Sequence, residues 1–183
     1  QAFEHGAYLR EERYCGRFAP SPTGSLHLGN IRTALVSWLK SRSCSGSWLL
    51  RIDDLDIPRN QPGSIQKIQD DLLWLGLKWD NQVFFQSHRK DLYNSALAFL
   101  RNKQRIFACK CTRRILSTFN KPFQDFPIYP GTCRDLGLPF EGHNSKSYSW
   151  RLKSSNNFAM TSGDVIVKRA DGFIAYHLAT GSH

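Results

Sequence analysis

No run of apolar residues in this 183-residue chain approaches the ~20 that a helix needs to span a bilayer. The opening QAFEHGAYLREER also lacks the apolar centre of a secretory signal. Both absences predict a soluble, cytoplasmic protein with no membrane partner. Acidic residues are scarce: 15 stand against 25 Lys and Arg, a formal net charge of +10, which favours a polyanionic partner through counterion release. A basic surface serves solubility too, so charge by itself does not name that partner. Five cysteines, an odd number with no secretory context, argue against a disulfide framework. Internal repeats and low-complexity tracts are lacking as well. With 40% hydrophobic and 13% aromatic residues, the length suits one domain with a real core rather than two full ones.

What is present alternates strand and helix, which predicts an α/β fold of the doubly wound kind. YCGRFA (Tyr14 to Ala19) and SWLLRID (Ser47 to Asp53) read as strands, and VFFQS (Val83 to Ser87) as a third. Between the first two, Asn30 to Arg42 places Ile31, Ala34, Leu35, Trp38 and Leu39 on one helical stripe. PGSIQKIQDDLLWLG (Pro62 to Gly76) starts with Pro62 and Ser64, turns Ile65, Ile68, Leu72 and Leu75 to one face, and stops at Gly76. Ser87 is placed to cap a helix running to about Lys103, with Leu92, Leu97 and Leu100 inward. Cys109 to Gly142, rich in Cys, Pro, Gly and Arg, reads as an insertion held by something other than a core. Strands resume with SYSWRLK (Ser147 to Lys153) and DVIVKR (Asp164 to Arg169), and Asp171-Gly172 is a hairpin-type turn into FIAYHLA.

The stretch RFAPSPTGSLHLGNIRTAL, Arg17 to Leu35, sets a loop of Pro20, Pro22, Gly24 and Gly29 between a strand and a helix. A helix starting there presents unpaired N–H groups and the positive end of its dipole, which suits a phosphate. His27 at that mouth can donate to phosphate oxygens, and Gly29 leaves room for an adenine ring against the backbone. A plainer reading makes His27 simply the cap of the helix. Asp53, where the second strand ends, lies where open α/β sheets put ligand-contacting side chains. Arg17 can grip a carboxylate in a bidentate pair. Asp54 and Asp56 are expected to form loop ion pairs and turn caps with Arg51 and Arg59. Cys109 and Cys111, followed by Cys133, could surround a tetrahedral zinc, with Tyr129 or the more ordinary His143 as fourth ligand. Cys15 and Cys44 have no partners at such spacing.

PSPTGSLHLGN with RTAL resembles the HIGH-type signature of class I aminoacyl-tRNA synthetases in its glutamyl version. Their fold is a Rossmann-like catalytic domain. His27 and Gly29 align with the first histidine and the glycine of HIGH, and Asn30 stands in place of the second histidine. CKCTRR with YPGTCR, SWRLK and GDVIVKRADGFIAYHLA resemble the glutamyl-Q-tRNA(Asp) synthetases in particular, from about Tyr14 to Thr180. The resemblance implies activation of L-glutamate by ATP with Mg²⁺, then transfer to the queuosine base of tRNA(Asp). It assigns ATP to Pro20, His27, Gly29 and Asn30, the last three also forming the catalytic set. Glutamate falls to Arg17, Ala19, Ser21, Asp53 and Tyr176, and a structural zinc ion to Cys109, Cys111, Tyr129 and Cys133. Asp53 replaces the family's usual glutamate and is one methylene shorter.

On this reading residues 1–13 are an N-terminal extension and 14–108 the first half of the nucleotide-binding domain. A zinc-binding insertion follows at 109–142, then return strands and the glutamate-pocket segment at 143–180. Gly181 to His183 reads as an added scar or tag start. After HLAT the family continues with the second half of the fold and the KMSKS lysine loop, so these 183 residues are expected to form a monomeric, impaired or inactive fragment. Two other readings stand beside this one. One is charging of tRNA(Glu); the other is a non-catalytic zinc-stabilised module binding RNA or a partner chain.

Overall fold

The computed structural model describes residues 14–119, 128–142, 147–154 and 163–181. The expected extension at 1–13, His143, and the final Ser182-His183 lie outside them. The chain divides into two compact units, Gln1–Lys90 and Asp91–His183.

The first unit holds three parallel strands, β1 (Cys15–Phe18), β2 (Ser47–Ile52) and β3 (Phe84–Phe85), in the order β1-β2-β3. Helix α1 (Leu28–Ser43) connects the first pair, and α2 (Ser64–Trp74) the second. Side chains alternate along β2. Trp48, Leu50 and Ile52 are fully buried on one face, where they join Phe18, Ala34, Ile68 and Leu72 in a single core. Each buried Leu, Ile or Phe among them contributes about 1.5–3 kcal/mol by leaving water. Both helices supply this one core, as expected when parallel strands are added in one direction through right-handed crossovers. Parallel strands joined by helices and added in one direction are what one half of the predicted doubly wound arrangement contains. Among the described residues the strand order does not reverse, and both helices pack on one face.

Helix α1 starts two residues earlier than the periodicity indicated and turns a different stripe inward. Ala34 and Ser41 are buried, Ile31 and Trp38 partly so, whereas Leu35 and Leu39 are 42% and 51% exposed. Ser41 reaches the sheet because residue 16 is glycine: a Cβ there would stand 2.1 Å from the Ser41 hydroxyl. At the end of α1, Arg42 donates to Asp80 at 2.7 Å, and Asp80 also accepts from the Trp48 N–H at 2.7 Å. These bonds tie helix, strand and the following loop together. In α2, Ile68 and Leu72 are buried as expected, but Leu75 lies beyond the helix and is exposed, Leu77 taking the inward place.

In the second unit α3 (Lys90–Asn102) turns Tyr93 and Leu97 inward. Ser87 does not cap it. A short 3₁₀ turn, Gln86–Arg89, comes first, and Ser87 gives its N–H and hydroxyl to Asp54 at 2.8 and 2.6 Å. Strands β4 (Ile106–Cys109), β5 (Ser149–Leu152) and β6 (Ile166–Lys168) form an antiparallel sheet in that order, with an irregularity at Trp150/Arg151. Short α4 (Arg113–Ser117) is capped by the Thr112 hydroxyl. The Asp171-Gly172 turn forms, closed by Arg169 N–H and Phe173 N–H bonds to neighbouring acceptors. Among the described residues it is followed by a single bridge, Lys168 to Ile174, before helix α5 (Tyr176–Gly181) packs on β6. Among the described residues no helix is long and apolar enough to cross a membrane.

Candidate functional site

Where β1 ends and α1 begins, a cleft of about 490 Å³ opens, lined by Arg17 to Ser21 and Thr23 to His27, with Asn30 and Thr33. Its position at the carboxyl end of parallel strands is where such sheets bind ligands. The helix mouth is built around His27, whose extended backbone makes it the N-cap of α1. Its Nδ1 accepts from the Gly29 N–H at 3.1 Å and the Asn30 N–H at 3.4 Å, while the Asn30 side-chain oxygen accepts from the His27 N–H at 3.3 Å. This is a reciprocal capping box. The plainer sequence reading of His27 as a cap is correct, and two of the N–H groups expected to be unpaired are satisfied by its ring. A neutral imidazole that accepts at Nδ1 carries its proton on Nε2, leaving that atom as the ring's donor. A Cβ on residue 29 would meet the ring at 3.0 Å (Cε1) and 3.1 Å (Nδ1), so the glycine gives the histidine its place.

Asp53 is drawn to this loop by its own N–H, which donates to the Pro20 carbonyl at 2.9 Å. Its carboxylate is held by Arg51, through Nε at 2.7 Å and a second guanidinium nitrogen at 3.0 Å, and by the Gln86 side-chain amide at 3.2 Å. Arg51 thus pairs with Asp53, a partner that the loop reading did not give it. Residues two apart on a strand share a face, which brings Arg51 to Asp53; Asp54 serves Ser87, and Asp56 pairs with Arg59 at 2.6 Å. Arg51 is buried, which the apolar alternation along the strand does not predict. Thr33 was likewise missed. It bonds the Gly29 carbonyl at 2.9 Å and adds a side chain to the cleft.

Arg17, Ala19, Pro20, Ser21, His27, Asn30 and neighbouring Gly29 thus gather at one cleft, with Asp53 tied to its rim. Tyr176 opens α5 in the second unit, 68% exposed.

In the second unit Cys109, Cys111 and Cys133 place their sulfurs within 4.8 Å of one another. The Cys111 and Cys133 sulfurs are 3.5 Å apart, and Cys109 Sγ lies 3.4 Å from the Tyr129 hydroxyl oxygen, which accepts from the Cys133 N–H at 2.8 Å. Ligands set tetrahedrally at about 2.3 Å (sulfur) and about 2.0 Å (oxygen) from zinc stand about 3.8 Å (S···S) and about 3.5 Å (S···O) apart. The four side chains fit such an ion. Burial and the neighbouring sulfurs push the Cys111 thiol up to about 12, and burial with the Cys109 bond raises the Tyr129 hydroxyl. Burial alone would raise Cys109 also, but bonds with Tyr129 and the Cys111 backbone, together with the positive charge of nearby Arg151, outweigh it and hold that thiol below its ordinary range. Gly163 lets this loop close: a Cβ there would stand 2.9 Å from the Tyr129 nitrogen, in a backbone with φ of +66°.

Residues 15–179 match the family described as tRNA synthetases class I (E and Q), catalytic domain. A glutamyl-Q tRNA(Asp) synthetase of Prochlorococcus marinus (strain MIT 9303) is 57% identical over 98% of this chain and 59% of its own length. One from Chromobacterium violaceum is 42% identical over 91% of this chain and 59% of its own. The chain therefore spans about 59% of these curated relatives. The crystal structure of a glutamate tRNA ligase from Elizabethkingia meningosepticum in complex with its amino acid superposes with a TM-score of 0.75 at 27% identity, covering 93% of this chain and 41% of that one. A capped helix mouth at the end of a parallel strand, and a match over nearly its full length, agree: the chain belongs to the class I tRNA synthetases of the E and Q type.

Proposed function

We propose that this chain is the ATP- and glutamate-binding portion of a glutamyl-Q tRNA(Asp) synthetase. The observation that carries the reading is the cleft at the His27-capped mouth of α1, with Arg17 on its wall and Asp53 at its rim. Glutamate binds with a carboxylate on Arg17 and its ammonium on Asp53, beside Ala19 and Ser21; Tyr176 is a further glutamate-contacting residue by its match to the family motif. ATP, with Mg²⁺ on its phosphates, lies over Pro20, Gly29 and Asn30. The α-carboxylate oxygen of glutamate attacks the α-phosphorus, an oxygen–phosphorus bond forms, and the bond to the β-phosphate oxygen breaks to release pyrophosphate. His27 Nε2–H donates to a non-bridging oxygen of the α-phosphate as charge grows there. Its Nδ1 stays on the helix N–H groups, so the ring is aimed before substrate arrives. Glutamate then passes from the adenylate to the queuosine base of tRNA(Asp).

Arg51 keeps Asp53 in place and balances its charge, so the substrate's ammonium meets an already oriented acid. Because Asp53 is one methylene shorter than glutamate, that contact is long or bridged by water. Cys109, Cys111, Cys133 and Tyr129 hold a structural zinc ion, supported by the sulfur and oxygen spacings; when bound, it cross-links a loop with few apolar residues. The 183 residues alone turn over weakly or not at all, whereas the full-length protein is active. Glutamate-dependent ATP–pyrophosphate exchange tests both statements: robust exchange by the 183-residue chain overturns the impairment, and no exchange by the full-length protein overturns the reading.

A further inference from the structure

The second unit buries an arginine that the glutamate and ATP chemistry does not use. Arg151 is 5% exposed, and its guanidinium lies 3.9 Å from the centre of the Tyr129 ring. The strand register puts it next to the sulfur cluster: Cys109 pairs with Ser149 and Phe107 with Arg151, so Arg151 is the diagonal neighbour of Cys109 on the same face. One guanidinium nitrogen donates to the Asp164 carbonyl at 2.6 Å. The Asp164 carboxylate is taken by Arg134 at 3.2 Å and the Ser154 N–H at 2.9 Å. Among the described residues no carboxylate pairs with Arg151, and its buried Nε–H has no acceptor. A buried cation lacking a counter-ion, with an orphaned donor, is costly unless something supplies both a charge and an acceptor.

The metal reading supplies both. Four anionic ligands around a dication leave an excess of about two negative charges, and Cys109, Cys133 and Tyr129 are 1%, 1% and 7% exposed. Such a charge is as costly to bury as the arginine. We infer that Arg151 is the charge-balancing partner of the metal site, its Nε–H donating to the Cys109 sulfur once that sulfur is a metal-bound thiolate. It is a positioning residue of the site, not a ligand, and it also holds the Tyr129 ring by stacking.

This inference rests on the metal reading, and one set of measurements separates them. Zinc per chain and zinc affinity by chelator competition are compared for the wild type, Arg151→Met, which keeps bulk without charge, and Arg151→Lys, which keeps charge without the planar fork. The same proteins are loaded with Co²⁺ to record the sulfur-to-cobalt charge-transfer band. The wild type is expected to take up one metal ion per chain. Arg151→Met is expected to bind it about 10–100-fold more weakly, and Arg151→Lys to bind at an intermediate level with the band shifted to lower energy. If Arg151→Met does not fold, the band of Arg151→Lys decides. A wild type without metal overturns both readings. A metal-binding wild type whose folded variants match it in affinity and band position overturns the Arg151 inference alone.

Discussion

Substitution at His27 separates the two jobs of its ring. Nδ1 accepts two helix N–H groups at 3.1 and 3.4 Å, and replacing a capping side chain by alanine costs about 1 kcal/mol. For a protein of this size that lowers Tm by about 2–4 °C. Nε2–H, by the proposed mechanism, meets the α-phosphate only as charge develops. Losing one such donor lowers kcat by about 10²–10³. His27→Ala is therefore expected to lose both stability and turnover. His27→Asn keeps an acceptor suited to the N-cap and is expected to melt within about 1 °C of the wild type, yet to fall about 10²–10³ in exchange rate. The assays are thermal unfolding and glutamate-dependent ATP–pyrophosphate exchange by the full-length protein. The reasoning is refuted if His27→Asn exchanges at the wild-type rate, or if His27→Ala is as stable as the wild type.

Replacing Cys109 by serine is expected to abolish stoichiometric zinc and to lower the melting temperature to that of chelator-treated protein; equal zinc content in elemental analysis contradicts the metal site. Gly163→Ala forces a Cβ to within 2.9 Å of the Tyr129 nitrogen, and is expected to weaken zinc about tenfold or more through displacement of Tyr129, read by chelator competition. The Arg42 bond, with the Trp48 N–H, holds the Asp80 carboxyl below its ordinary value. A depressed native value means its contribution is fully present above about pH 4, the unfolded value, and is lost as pH falls through the native one. Asp80→Asn is expected to flatten the fall of stability in urea below about pH 4 and to remove part of its salt sensitivity, by a fraction of a kcal/mol for so exposed a pair; an unchanged acid limb contradicts this.

The order of strands and helices was legible because apolar spacing and Gly–Pro punctuation act locally. The strand–loop–helix at Arg17 to Leu35 appeared where the motif put it. The inward stripe of α1 was not legible, since Leu35 and Leu39 look like core by spacing. Ser41 takes the buried place only because Gly16, distant in sequence, leaves room for it. The parallel sheet was legible too, but alternation alone does not give the direction in which each strand is added. In the site, the grouping of residues at one cleft was legible and their bonding partners were not. Asp53 was picked as a substrate acid, but its grip by Arg51 and Gln86 depends on β3 lying beside β2. The cysteines were found by spacing. Arg151 was hidden, because a charged residue inside a short strand reads as solvent-facing until the sheet register places it beside Cys109.

The central claim is tested most directly by incubating the full-length protein with labelled glutamate, ATP and Mg²⁺ and either queuosine-containing tRNA(Asp) or tRNA(Glu). The account predicts label on queuosine-containing tRNA(Asp) and none on tRNA(Glu). Label on tRNA(Glu) alone contradicts it.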